Sequence, residues 1–236
     1  MNRLLGEENV FFFVSLITLF LLVNFDRTFG LIYGFMFITA HLIHKANMKD
    51  IPIENEKGNT LTSILFGLAG YVAFIFASYG LALLIRPLAV KLAGGGALSI
   101  VSAMAADVPV LAASTAVIIF AWTFFIPIYE TALITVMLER ISQMFNIPLS
   151  RNGMFNIRTM GLFVAVSVFI SYLHLTAKIG LGDLAFISTF VFFFIACAMI
   201  VYFGEQKQAI LTHMFANGRA VLTKYGYLSL SAFGGF

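Results

Sequence analysis

Apolar runs long enough to cross a lipid bilayer recur along this chain, and they constrain its fold more than any other feature. A transmembrane helix needs about 17–25 mostly apolar residues. An ordinary soluble domain carries about 25% charged residues, whereas this chain has 11%. We therefore predict an all-α, multi-pass transmembrane helical bundle, integral to the cell membrane. Its predicted spans are 10–25, 28–43, 61–85, 108–126, 128–145, 157–175, 183–203 and 206–222.

The one long polar stretch, residues 44–60, divides the chain. We expect an N-terminal helical hairpin with this polar loop over residues 1–60, and a membrane helical core over residues 61–236. The net charge of +3 is spread between the apolar runs, and no basic tract indicates nucleic-acid binding. The expected partners are membrane lipid and other membrane proteins.

The number of spans depends on whether a helix ends at Pro127. If it does, the chain has eight spans, and Lys and Arg divide seven against seven between the two sides. If 111–138 is one helix, the chain has six spans, and the division of ten against four fits the positive-inside rule. We favour eight, because proline lacks the N–H of a continuous helix, and because eight spans bring Glu130 and His174 to the same side.

Three ionisable residues lie inside apolar runs: Glu130 in FFIPIYETALITVML, His174 in VFISYLHLTA and His213 in QAILTHMFANG. An ionisable group at membrane depth costs about 2.5–3.5 kcal/mol on insertion scales, so it usually has a function or a partner. Asn217 follows His213 by four residues, so the two share one face of a helix. These four residues form the candidate site.

The residue types point to hydrolysis. A carboxylate beside a histidine can activate water as a general base, which indicates Glu130 with His174. Two donors that converge on one point can form an oxyanion hole, which indicates His213 with Asn217. This chemistry needs no cofactor. The alternative is a zinc ion bound by Glu130, His174 and His213, with water as the fourth ligand.

The order of these motifs resembles the CAAX-prenyl-protease and bacteriocin-processing family of intramembrane proteases, which includes the Ras-converting enzymes. The family's H-x-x-x-N motif is matched by His213-Met-Phe-Ala-Asn217. FISYLHL resembles the F-x-x-x-H motif, although Phe169 precedes His174 by five residues. In the E-E-x-x-x-R motif, Thr131 and Thr135 replace the second glutamate and the arginine.

The resemblance covers roughly residues 108–222. It implies a multi-helix protease in which Glu130 and His174 activate water while His213 and Asn217 stabilise the oxyanion. The expected substrate is a membrane-associated peptide or protein tail. A non-catalytic subunit of a larger membrane assembly, with structural polar residues, is the alternative. A small transporter is a weaker alternative, because only one carboxylate lies at clear membrane depth.

Overall fold

The computed structural model describes residues 7–25, 30, 32–40, 60–93, 119–175 and 183–224, and all its regular elements are helical. A π-helical turn, Ala121–Phe125, leads directly into α4, and a 3-10 turn, Arg151–Gly153, lies between α4 and α5. The α-helices are α1 Glu7–Phe25, α2 32–40, α3 Thr60–Ala93, α4 Ile126–Phe145, α5 Ile157–Leu175, α6 Asp183–Phe203 and α7 Lys207–Lys224.

Four helical stretches are long and apolar enough to cross a membrane: Thr60–Ser78, Ala121–Phe145, Ile157–His174 and Phe186–Phe203. A shorter apolar stretch, Asn9–Leu22, lies in α1. Large apolar side chains remain exposed on several of these helices, including Leu65 and Phe76 on α3. Such surfaces are suited to lipid. The protein is therefore a helical membrane protein.

The helix boundary predicted at Pro127 is wrong, because the helix is continuous from residue 119 to Phe145. Pro127 lies at the start of α4, directly after the π-helical turn. A π-turn is wider than an α-helical turn, and here it accommodates a proline that lacks an N–H. Residues 94–118, which hold the start of the predicted span 108–126, lie outside the described residues. A helix that continues through Pro127 removes the first argument for eight spans, and the number of spans stays a prediction.

A compact connection makes α4 and α5 an antiparallel hairpin. Asn146 ends α4 in the left-handed conformation at φ 50°, and Ile147 N–H donates to the Ser142 carbonyl oxygen at 2.9 Å. Asn156 Oδ1 accepts from Arg158 N–H at 2.9 Å and caps α5. These local bonds satisfy backbone groups that helix ends otherwise leave unpaired.

This hairpin brings Glu130 and His174 to one level whatever the span count. Glu130 lies 15 residues before Phe145 (145 − 130), and His174 lies 17 residues after Ile157 (174 − 157). At 1.5 Å per residue, both lie about 22–26 Å from the connection. The expectation that only eight spans would bring them together is therefore wrong.

Helices α3 and α7 run parallel and in close contact. Gln208 Nε2 donates to Ser63 Oγ at 3.4 Å, and Thr212 Oγ1 donates to the Gly67 carbonyl oxygen at 2.8 Å. A Cβ atom on Gly70 would lie only 2.6 Å from Thr212 Oγ1. Small residues of this kind allow membrane helices to approach closely.

One hydrophobic core joins the N-terminal helices to the rest of the described bundle. Phe12 of α1 and Phe37 of α2 belong to the same buried cluster as Phe163 of α5 and Phe193 of α6. Residues 41–59, which hold nearly all of the predicted polar loop, lie outside the described residues. The predicted division into 1–60 and 61–236 stays a prediction.

Candidate active site

The Glu130 carboxylate lies between two imidazoles. Its Oε1 atom is 3.2 Å from His174 Nε2, and its Oε2 atom is 3.1 Å from His213 Nε2. The three side chains come from α4, α5 and α7. Glu130 and His174 keep 14% and 16% of their side-chain surface exposed, whereas His213 keeps 5%. The structure thus brings together three of the four predicted site residues.

The backbone of α5 fixes the orientation of His174 and the position of one of its protons. His174 Nδ1 lies 2.8 Å from the Ile170 carbonyl oxygen, four residues earlier. Because a carbonyl oxygen only accepts hydrogen bonds, Nδ1 carries a proton. The contact between Nε2 and the Glu130 carboxyl group then needs a second proton, shared between Nε2 and Oε1. The Glu130–His174 pair therefore holds one proton more than a carboxylate beside a neutral imidazole.

His213 is buried against aromatic rings. Its ring centroid lies 4.6 Å from that of Phe192 and 6.0 Å from that of Phe193. Nε2 donates its proton to Glu130 Oε2, because a carboxylate oxygen is an acceptor. Within the described part of the chain, the buried Nδ1 atom has no hydrogen-bond partner. Glu130 and the two histidines thus form one ion-paired cluster in a mostly buried setting.

Asn217 donates a hydrogen bond to a backbone carbonyl oxygen of the π-helical turn Ala121–Phe125. Its Nδ2 atom donates to the Trp122 carbonyl oxygen at 3.0 Å. In an α-helix that oxygen would accept from the N–H of Ile126, but this N–H bonds the Ala121 carbonyl oxygen instead. In a π-helix the donor would be residue 127, which is a proline without an N–H.

His213 and Asn217 thus do not converge on one acceptor in this conformation, and their role as oxyanion donors stays a prediction. The two residues lie one turn apart on α7, as their spacing predicts. His213 donates to Glu130 and Asn217 donates to Trp122. The cause is the Trp122 carbonyl oxygen, which accepts a hydrogen bond from the Asn217 amide.

The site does not have the arrangement of a metal centre. Among the residues that the structure describes, no three His, Cys, Asp or Glu side chains are placed to hold a metal ion. Each histidine contacts a different oxygen of Glu130, whereas zinc ligands converge on one point about 2 Å from each ligand atom. The zinc alternative stays a prediction.

Two polar groups of the site were not predicted from the sequence, and both are backbone carbonyls. The Ile170 carbonyl oxygen orients His174, and the Trp122 carbonyl oxygen holds Asn217. The signal for Ile170 was its position four residues before a histidine on a helix. Thr135, which replaces the motif arginine, donates locally to the Thr131 carbonyl oxygen at 2.9 Å.

Comparison with known proteins adds no family to this description. No protein-family model matches the chain, and neither a curated protein nor a solved structure matches it.

Proposed function

We propose that the protein is an intramembrane endopeptidase that cleaves a membrane-associated peptide or protein tail. The observation that carries this proposal is the Glu130 carboxylate, which contacts His174 at 3.2 Å and His213 at 3.1 Å in a mostly buried setting. A carboxylate with histidine partners is suited to move protons during hydrolysis. The motif order gives a second line of support, through its resemblance to the CAAX-protease family.

In the proposed reaction, Glu130 accepts a proton from water while the water oxygen attacks the peptide carbonyl carbon. A carboxylate has about four lone-pair sites, and the two histidines use two of them. The proton then passes to the leaving amine nitrogen as the C–N bond breaks. Protonation of Glu130 weakens its bond from His213 Nε2–H, which frees this N–H to donate to the negatively charged carbonyl oxygen of the intermediate.

The location of His174 suits a substrate that approaches from the membrane surface. His174 lies in the last turn of α5, and helix ends lie closer to the aqueous interface than helix centres. The residual exposure of Glu130 and His174 leaves a route for water. We propose that the substrate reaches this end of the bundle as an extended segment with an apolar or lipid anchor.

Cleavage by the purified protein tests this function. Peptides with an internally quenched fluorophore and a farnesylated cysteine are presented in lipid vesicles to the reconstituted protein. We expect cleavage by the unaltered protein and at least a hundredfold loss in Glu130→Gln, because general base catalysis contributes about 10²–10⁴-fold. Glu205→Gln is the matched control, since Glu205 contacts Gln208 and Lys207 beyond the site. Equal rates in Glu130→Gln and the unaltered protein would refute the mechanism.

A second candidate function is that of a non-catalytic membrane subunit. The observation that favours it is the mutual satisfaction of Glu130 and its two histidines, which fastens α4, α5 and α7 together. In that case the three residues serve packing alone. Isolation of the protein in one stable assembly with other membrane proteins, without peptide cleavage, would support this role.

A further inference from the structure

The π-helical turn Ala121–Phe125 contains two notable polar groups, on adjacent residues. The Ile126 N–H, which would bond the Trp122 carbonyl oxygen in an α-helix, bonds Ala121 instead, and Pro127, the π-helical donor position, has no N–H. Asn217 Nδ2 donates to the Trp122 carbonyl oxygen at 3.0 Å. The adjacent Thr123 hydroxyl is buried and has no hydrogen-bond partner among the described residues. An unpaired buried hydroxyl is costly unless it has a ligand or a function.

The Trp122 carbonyl oxygen faces Asn217 of α7, and Thr123 is the next residue of the turn. A Cβ atom on Gly218 would lie 3.3 Å from Thr123 Cγ2, so Thr123 packs against the residue that follows Asn217. The carbonyl accepts a hydrogen bond and the hydroxyl can donate one. Together they can pair with one extended residue of a substrate, whose N–H and carbonyl oxygen point to the same side.

We propose that Trp122 and Thr123 form a subsite for the N–H and carbonyl oxygen of one extended substrate residue, and that Asn217 occupies this subsite until the substrate displaces it. The substrate N–H donates to the Trp122 carbonyl oxygen, and the Thr123 hydroxyl donates to the substrate carbonyl. Asn217 then turns its amide toward the face that it shares with His213. The inference rests on the proposed peptidase function and extends it to substrate recognition.

Binding to an inactive protein tests the subsite apart from catalysis. A fluorescent peptide with a farnesylated cysteine is titrated into reconstituted Glu130→Gln, with and without Thr123→Val, which has nearly the same shape but no hydroxyl. We expect roughly fivefold weaker binding without the hydroxyl, the factor for one neutral hydrogen bond of about 1 kcal/mol. Thr159→Val is the control, because Thr159 binds the Pro148 carbonyl oxygen in the α4–α5 connection.

The outcomes separate the two proposals. If the unaltered protein cleaves the peptide and Thr123→Val binds it as tightly as before, the subsite is overturned and the peptidase stands. If Thr123→Val weakens binding of the peptide but the unaltered protein never cleaves it, the subsite stands and the peptidase is overturned. If Glu130→Gln does not bind the peptide at all, the subsite is overturned as well.

The role of Asn217 has its own test, which does not depend on activity. Pro127→Ala supplies the missing helical N–H and so allows the Trp122 carbonyl to bond within its own helix. We expect Asn217→Ala to shift the unfolding equilibrium about threefold less in Pro127→Ala than in the unaltered protein, the factor for an average membrane hydrogen bond of about 0.6 kcal/mol. Equal shifts in both backgrounds would overturn the displacement of Asn217.

Discussion

Replacement of Glu130 by alanine or by glutamine separates the hydrogen bonds of the site from its charge. Alanine removes both contacts to the histidines. Glutamine removes the charge and keeps the shape. Its amide N–H can donate to His174 Nε2, because the proton of a neutral His174 is held on Nδ1 by the Ile170 carbonyl. Its carbonyl oxygen can accept from His213 Nε2.

The expected free energies of unfolding therefore differ between the two variants. Removing one member of a buried ion pair costs about 3–5 kcal/mol. Glu130 and His174 keep 14% and 16% exposure, so we expect Glu130→Ala to lie at the low end, with a loss of about 3 kcal/mol. Glutamine replaces both bonds with neutral ones, and we expect a loss within about 1 kcal/mol.

Both free energies are measured by unfolding the protein in mixed micelles, where the reaction of Cys197 with a maleimide reagent reports the unfolded fraction. This residue is the only cysteine of the chain and is fully buried, so it reacts when the bundle opens. Glu205→Gln is again the control. Equal losses for glutamine and alanine would show that His174 Nε2 offers no lone pair and that the proton placement is wrong. A loss below about 1 kcal/mol for alanine would show that the cluster does not hold the helices together.

Four further variants test the packing of α3 and the C-terminal cap of α4. Gly70→Ala places a Cβ atom 2.6 Å from Met199 Sδ and should lower the free energy of unfolding by about 1–3 kcal/mol in the same micelle assay. A Cβ atom on Gly161 meets nothing within 4 Å, so Gly161→Ala should be neutral or stabilising by about 0.5–1 kcal/mol. Equal effects of the two variants would contradict the close approach of α3. Asn146→Val should cost about 1–3 kcal/mol at φ 50°, while Asn146→Gly should be nearly neutral, and a neutral valine would contradict the left-handed cap.

Hydrophobicity and helix-end signals predicted much of the helical framework. The predicted spans 157–175 and 183–203 coincide with α5 and α6, and 206–222 differs from α7 by one or two residues at each end. These segments are bounded by Asn156 and Gly204, residues that favour helix ends. Apolar length therefore located the helices well wherever a strong boundary residue flanked them.

The sequence also predicted that Glu130 would meet His174, since two costly polar groups at one level are expected to pair. It did not predict the acceptor of Asn217, because a backbone carbonyl becomes available only through the local hydrogen-bond pattern of the π-turn. Pro127 misled for the same reason. The expectation that proline ends a helix assumes α-helical hydrogen bonds between residues four apart, whereas the π-turn before α4 has hydrogen bonds between residues five apart.

The order of the helices along the chain sets the order in which the site can be assembled. Ser63 with Gln208 and Gly67 with Thr212 are each separated by 145 residues, whereas Glu130 and His174 are separated by 44. Synthesis proceeds from the N-terminus, so the Glu130–His174 contact can form as soon as the α4–α5 hairpin is inserted. His213 arrives only with α7, which must find α3 across the finished bundle. The nascent protein thus carries an incomplete cluster until its last described helix docks, and a ribosome stalled before α7 would hold a site without His213.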